Sequence, residues 1–186
     1  MAFVAIYDAC VLYPAPLRDL LLRLAATGLF RAQWTEEILD ECFRNIRANR
    51  PDLKDEALDR TRALINQAVA DCLVTGYESL ISSVTLPDAK DRHVLAAAIR
   101  SGAQVIVTAN LKDFPKTSIK SYGIEAQHPD EFVCNLVDLN PGIATKVIQE
   151  QTADLRKPPR SVAEVLATLE QNGLVQAVAK LRELLP

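Results

Sequence analysis

The run from Leu86 to Pro115 limits the possible folds more than any other part of the chain. Val94, Leu95, Ala98 and Ile99 recur at helical spacing, Gly102 ends the helix, and Val105-Ile106-Val107 is too short and β-branched to be anything but a core strand. A helix that feeds a buried strand through so short a turn implies a βαβ unit and a parallel sheet. Asp91 falls on the same helical face as Val94, Leu95 and Ala98, the face turned toward that sheet. As a first-turn residue it would complement the helix dipole by at most about 1 kcal/mol. Asp113 favours a functional role for it. This second acid lies just past the strand, where open parallel sheets bind ligands.

Taken from its start, the chain reads as a second central strand over residues 2–7, ending at Asp8. Pro14 and Pro16 break it, and Leu17, Leu20, Leu21 and Leu24 then mark a helix that ends near Gly28. Thr35 caps a helix with Ile38, Leu39, Cys42, Phe43 and Ile46 on its apolar face and Glu41 on the flank. Beyond Pro51 another helix is expected, bent near Arg60, with short strands at Leu73-Val74-Thr75 and Ile124-Glu125-Ala126. Pro129 opens a helix with Phe132, Val133, Leu136 and Val137 inward. From Asn140-Pro141 onward only helices follow, one of them opened by a Ser161-to-Glu164 capping box. Residues 1–138 therefore read as one α/β domain and 139–186 as a small helical extension. The extension is too small to hold a core and is expected to pack on the domain or on a partner.

No apolar run approaches the roughly 20 residues that cross a bilayer, and the first residues lack a basic flank, so a soluble, cytoplasmic protein without a membrane partner is expected. Cys10, Cys42, Cys72 and Cys134 lie 30 or more residues apart and read as reduced core residues rather than zinc ligands. A net charge of −3 gives no general attraction for nucleic acid, so any such contact needs a local basic patch or bound cations. Lys112, Lys116 and Lys120 are the better-placed patch, flanking Asp113. Arg44, Arg47 and Arg50, with Arg60 and Arg62, could also track a phosphate backbone, but Asp52, Asp55, Glu56 and Asp59 accompany them and favour a solvated face. His93 is expected at the surface, on the helix side opposite Asp91, and Trp34 in the packing.

The unusual residues are Asp8 and Asp113 beyond strands, Glu41 on a helix flank and Asp91 on an inward face, with Asp88 and Asn110 nearby. Four carboxylates that meet repel unless cations hold them together. Hard oxygen ligands favour Mg²⁺ or Mn²⁺ over zinc, and such a site suits phosphodiester hydrolysis. A haloacid-dehalogenase-type phosphatase is disfavoured, because Asp8-Ala9-Cys10-Val11 lacks the second aspartate that chemistry uses as acid.

Asp8 after its strand, Thr35 through Glu41, Asp91 through Ala98, and Val107 through Phe114 together resemble the PIN domain of VapC-type ribonuclease toxins, over about residues 2 to 135. The resemblance implies a three-layer α/β/α fold with a central parallel sheet and an Mg²⁺- or Mn²⁺-dependent endoribonuclease. It further implies the toxin of a type II toxin–antitoxin pair, with homodimerisation and inhibition by a cognate antitoxin. By position, Asp8 and Asp91 resemble the principal metal ligands, Glu41 the second acid and Asp113 the fourth. Thr108 and Asn110 match the polar pair that closes the site, and Asp88 an acid often found three residues ahead of the third ligand. Which of Asn110 and Asp113 faces the metal stays open. The tail after residue 138 resembles extensions on a subset of these toxins. Two rival readings share the fold: an inactive PIN-type binding module and a DNA-directed nuclease.

Overall fold

A computed structural model describes residues 2–185. Its centre is a sheet of four short parallel strands, β1 (Val4–Tyr7), β2 (Arg31–Gln33), β3 (Val105–Val107) and β4 (Glu125–Gln127), in the order β2-β1-β3-β4. Ile6 pairs with Gln33 on one side and Ile106 on the other, and Ile106 pairs with Ala126. All of β1 and β3 is buried, as strands with both faces covered must be. β1 and β3 are the two expected central strands. β2 was not foreseen: it has a single apolar residue, and it is a strand because β1 supplies its ladder partners. The sequence 73–75 makes only a bridge from Leu73 to Trp34.

The helices are α1 (Ala9–Leu12), α2 (Ala15–Ala26), α3 (Glu36–Asn49), α4 (Asp55–Ala68), α5 (Glu78–Ile81), α6 (Arg92–Ser101), α7 (Lys116–Ile119), α8 (Pro129–Leu139), α9 (Pro141–Asp154), α10 (Val162–Gln171) and α11 (Val175–Leu184). Helices and sheet together form a three-layer α/β/α domain followed by a helical extension. Caps set the boundaries. Thr35 accepts the Ile38 amide at 3.0 Å, Asn140 accepts that of Ile143 at 3.0 Å, and Ser161 with Glu164 closes the capping box. Gly102 ends α6 at φ 66°, a conformation that penalises any residue with a Cβ. α4 runs unbroken through Arg60, contrary to the expected bend: Leu58 and Ile65, two turns apart, carry its buried face, and Leu64 is exposed.

The extension packs on the α/β domain. Leu166, Leu169, Leu174 and Leu181 are 0–1% exposed. Burying each contributes about 1.5–3 kcal/mol before chain entropy is subtracted. The buried Asp130 of α8 ties the two parts together, accepting the Ala177 and Gln176 amides at 2.8 and 3.0 Å at the first turn of α11. Gln151 reaches back to the Pro16 carbonyl at 3.1 Å, and Arg23 pairs with Asp154 at 2.8 Å. Among the described residues no helix is long and apolar enough to cross a membrane.

Candidate functional site

The chain leaves β1 for β2 on one side and returns to β3 on the other, so a crevice opens where β1 and β3 end side by side. Asp8 follows β1 and Thr108 follows β3. Asp8 donates its amide to the Val107 carbonyl at 3.1 Å, which fixes its backbone to the neighbouring strand. Its side chain is 5% exposed and fully engaged. Oδ1 accepts the Ala9 amide at 2.7 Å, and Oδ2 accepts the Thr108 hydroxyl at 2.7 Å and the Cys10 thiol at 3.2 Å. Thr108 Oγ1 accepts the Asn110 amide at 3.0 Å, and Cys10 Sγ accepts that of Ala109 at 3.3 Å. One network therefore ties the carboxylate to the loop leaving β3. Burial raises the Asp8 carboxyl above its ordinary value although these bonds oppose the shift.

Cys10 is the residue the sequence misassigned. It was read as core filling, and it is a donor to the central carboxylate. Burial, followed by the nearby Asp8 charge, pushes its thiol up to about 12, so it is a proton donor and not a thiolate nucleophile.

Asp91 stands at the N-terminal boundary of α6, one residue ahead of the helix, half-buried and with no capping bond to occupy it. Its carboxyl is pushed up to about 6, first by burial and then by the charges of Asp8, Asp113, Asp88 and Glu41. These acids, drawn from four stretches of chain, thus act on one carboxyl. Asp113 is half-buried on the turn Leu111–Asp113, whereas Asn110 is exposed. Asp88 is exposed and accepts the Lys90 amide at 2.9 Å, a capping contact that supports the turn leading to Asp91.

Glu41 reaches the site from α3, and its carboxyl is held below its ordinary value chiefly by His93. The Nε2–Oε2 separation of 3.7 Å is that of an ion pair, too long for a hydrogen bond. His93 overturns the expectation of a surface residue: it is 6% exposed, with Nδ1 3.8 Å from Glu37, which also accepts the Tyr77 hydroxyl at 3.0 Å. Burial pulls the imidazolium down, but Glu41 and Glu37 outweigh it and the net shift is upward. His93 is a buried counter-charge behind the acids.

The basic candidates divide. Arg47 is engaged by Asp55 at 2.9 Å and Asp59 at 3.4 Å, Arg50 by Asp52 at 2.7 Å, and Arg62 by Glu36 and Asp40. Among the described residues Lys112, Lys116, Lys120 and Arg44 make no ion pair; Arg44 lies close enough to Glu41 to lower its carboxyl. Trp34 is fully buried, its Nε1 donating to Asn66 at 2.9 Å, which removes it from any stacking role.

Whether these residues fit a divalent cation is decided by their donors and their charge. Every donor is a hard oxygen, and the repulsion that adds to burial in lifting Asp91 is what a cation would relieve. Among the described residues no three His, Cys, Asp or Glu side chains stand close enough to hold an ion by themselves. Charge coupling acts over longer distances than coordination, so the two facts are compatible. An ion of the Mg²⁺ type keeps several waters and is bound through one or two carboxylates, so an open acidic set of this kind fits it.

Comparisons with known proteins agree with this fold. Residues 4–112 match the family model described as PIN domain, and residues 129–183 match that of the VapC50 C-terminal domain. The second match begins at α8, the helix whose Asp130 caps α11. Over 111 residues the chain is 41% identical to a protein of Mycobacterium tuberculosis (strain ATCC 25618 / H37Rv) named as a candidate ribonuclease, VapC50. The alignment covers 60% of this chain and 64% of that relative's length. No solved structure matches the chain.

Proposed function

The chain belongs to the PIN-domain family, and from that premise we propose that it is a metal-dependent endoribonuclease, the toxin of a type II toxin–antitoxin pair. The observation that carries the proposal is the buried Asp8, anchored at the strand ends by Thr108 and Cys10, with the half-buried Asp91 ahead of α6, where burial and then the charges of Asp8, Asp113, Asp88 and Glu41 raise its carboxyl. The name of the 41% identical relative supports RNA as the substrate.

Asp8 and Asp91 would hold Mg²⁺ or Mn²⁺, with Glu41 and Asp113 completing the acidic set. When bound, the ion lowers the pKa of a water and neutralises charge on the leaving oxygen. The protein's own groups do the rest. Thr108 and Cys10 hold the Asp8 carboxylate in one orientation, Asn110 steadies Thr108 through its amide, and His93 keeps Glu41 ionised. Lys112, Lys116 and Lys120 offer contacts to the phosphate backbone. On this reading the chain acts in the cytoplasm, pairs with itself, and is inhibited by a cognate antitoxin.

The test is incubation of the purified chain with labelled single-stranded RNA, or with DNA of the same sequence, in Mg²⁺, Mn²⁺ or EDTA. The proposal expects RNA fragments with either metal, none in EDTA, and intact DNA. Preferential DNA cleavage would make it a DNA-directed nuclease. No cleavage, with no calorimetric metal binding, would leave a binding module.

A further inference from the structure

A groove of about 590 Å³ runs along the crossover from β3 to β4. Its floor is apolar, with Phe114, Ile119 and Ile124 buried and Leu111, 42% exposed, at one lip. Lys116 and Lys120 line its rim, and the exposed Glu125 and Gln104 line it where β4 and β3 begin. The single turn of α7 contributes Lys116 and Ile119 to its lining. Leu111 shares its three-residue turn with Asp113, so the apolar lip and one of the site's acids belong to one rigid piece of backbone. Lys112 lies between them.

We propose that this groove receives an unstacked base of single-stranded RNA next to the acidic site, with Lys112, Lys116 and Lys120 on the flanking phosphates. The inference rests on the nuclease reading and adds a position for the substrate. Lys116 and Lys120 at the rim and Lys112 in the adjoining turn make no ion pair among the described residues and outnumber the one acid of the lining, Glu125; beside an apolar floor they are complementary to a polymer that alternates charge and apolar rings. An acidic peptide would match the lysines but brings no flat ring to the floor of Phe114, Ile119 and Ile124, whereas a nucleic-acid strand brings phosphates and bases together. A duplex keeps its bases stacked and could not enter a cleft of this size.

The experiment uses the full chain in EDTA, so that nothing is cut, with a single-stranded RNA of about twelve nucleotides carrying 5-iodouridine. Photo-crosslinks are expected within residues 111–126. In fluorescence anisotropy, the Lys116→Ala/Lys120→Ala pair should weaken binding and lower the slope of log affinity against log salt by about 1.4, two single-strand phosphate contacts. Leu111→Ala, at an exposed lip where folding is not at stake, should weaken binding severalfold and leave that slope unchanged. Crosslinks confined to residues 44–62, or variants that bind like wild type, would overturn the groove assignment. So would a dimer that Ala126→Arg dissolves, which would give the groove to a second copy. If the wild type cuts RNA while these variants bind and cut as it does, only the groove assignment falls. If the wild type neither binds nor cuts RNA, the nuclease reading falls with it.

Discussion

Arg47, Arg50 and Arg62 on and beside the α3–α4 pair and Lys112, Lys116 and Lys120 on the crossover to β4 are equal in number and differ in what faces them. The arginines meet Asp55, Asp59, Asp52, Glu36 and Asp40, so their charge is spent inside the fold, holding two helices together. The lysines meet no acid in an ion pair among the described residues; Lys116 and Lys120 border the groove and Lys112 adjoins Asp113. Cation spacing in a sequence therefore says little about nucleic-acid contact. The placement of the acids decides it, and in an acidic chain most cations are neutralised.

The largest expected contrast is in RNA affinity. Replacing Lys112, Lys116 and Lys120 together by alanine should lower the salt slope by about 2 and the low-salt affinity by on the order of 100-fold. Arg47→Ala with Arg50→Ala should change affinity no more than about twofold, because pairs already closed have few counterions to release. Equal losses in the two sets would break the comparison.

Stability should respond in the opposite sense. Arg62 is held against Glu36 and Asp40 by a guanidinium that is largely covered, so Arg62→Ala should cost about 1 kcal/mol in urea unfolding. The lysine substitutions should stay within about 0.5 kcal/mol. A lysine variant as destabilised as Arg62→Ala would show that the crossover cations are structural after all.

A smaller effect concerns the acids beside the lysines. The folded-state carboxyls of Asp8 and Asp91 lie above their unfolded values, Asp91 at about 6. The folded state therefore binds these protons more tightly. Their contribution to stability is complete below the unfolded value of about 3.9 and is lost as pH rises through about 6. Glu41 and Glu164 are shifted the other way. The measurement is thus a difference: in EDTA, wild type should lose stability relative to Asp91→Asn between about pH 4 and pH 7. Parallel pH profiles would show that Asp91 does not feel its neighbours.

Much of this arrangement was legible in the residues themselves. β1 and β3 are apolar enough to be strands in any context, and an acid after each of two parallel strands points to the crevice at their ends. The caps at Thr35, Asn140 and Ser161 were readable because capping is local chemistry. What escaped depends on partners distant in sequence. β2 is a strand through its pairing with β1. α4 continues without a break through Arg60, and its buried residues are Leu58 and Ile65. His93 was assigned to the surface by counting degrees from Asp91, but α6 is buried over residues 93–98, and α3 brings Glu37 and Glu41 against the side that counting left to solvent. Cys10 looked like core filling because no local pattern distinguishes a thiol that packs from one that donates to a carboxylate two residues away.

The most direct test of the central claim is single-turnover RNA cleavage in Mg²⁺ by wild type, Asp8→Asn and Asp91→Asn, with circular dichroism confirming the fold of each. Asp91→Asn breaks no capping bond, whereas Asp8→Asn sets an NH2 donor in place of one of two accepting oxygens, so the dichroism of that variant is read before its rate. The account predicts losses of at least about 100-fold in both variants, beyond what outer-shell changes at a metal site cause. A well-folded Asp8→Asn or Asp91→Asn protein that cuts RNA at close to the wild-type rate would contradict it.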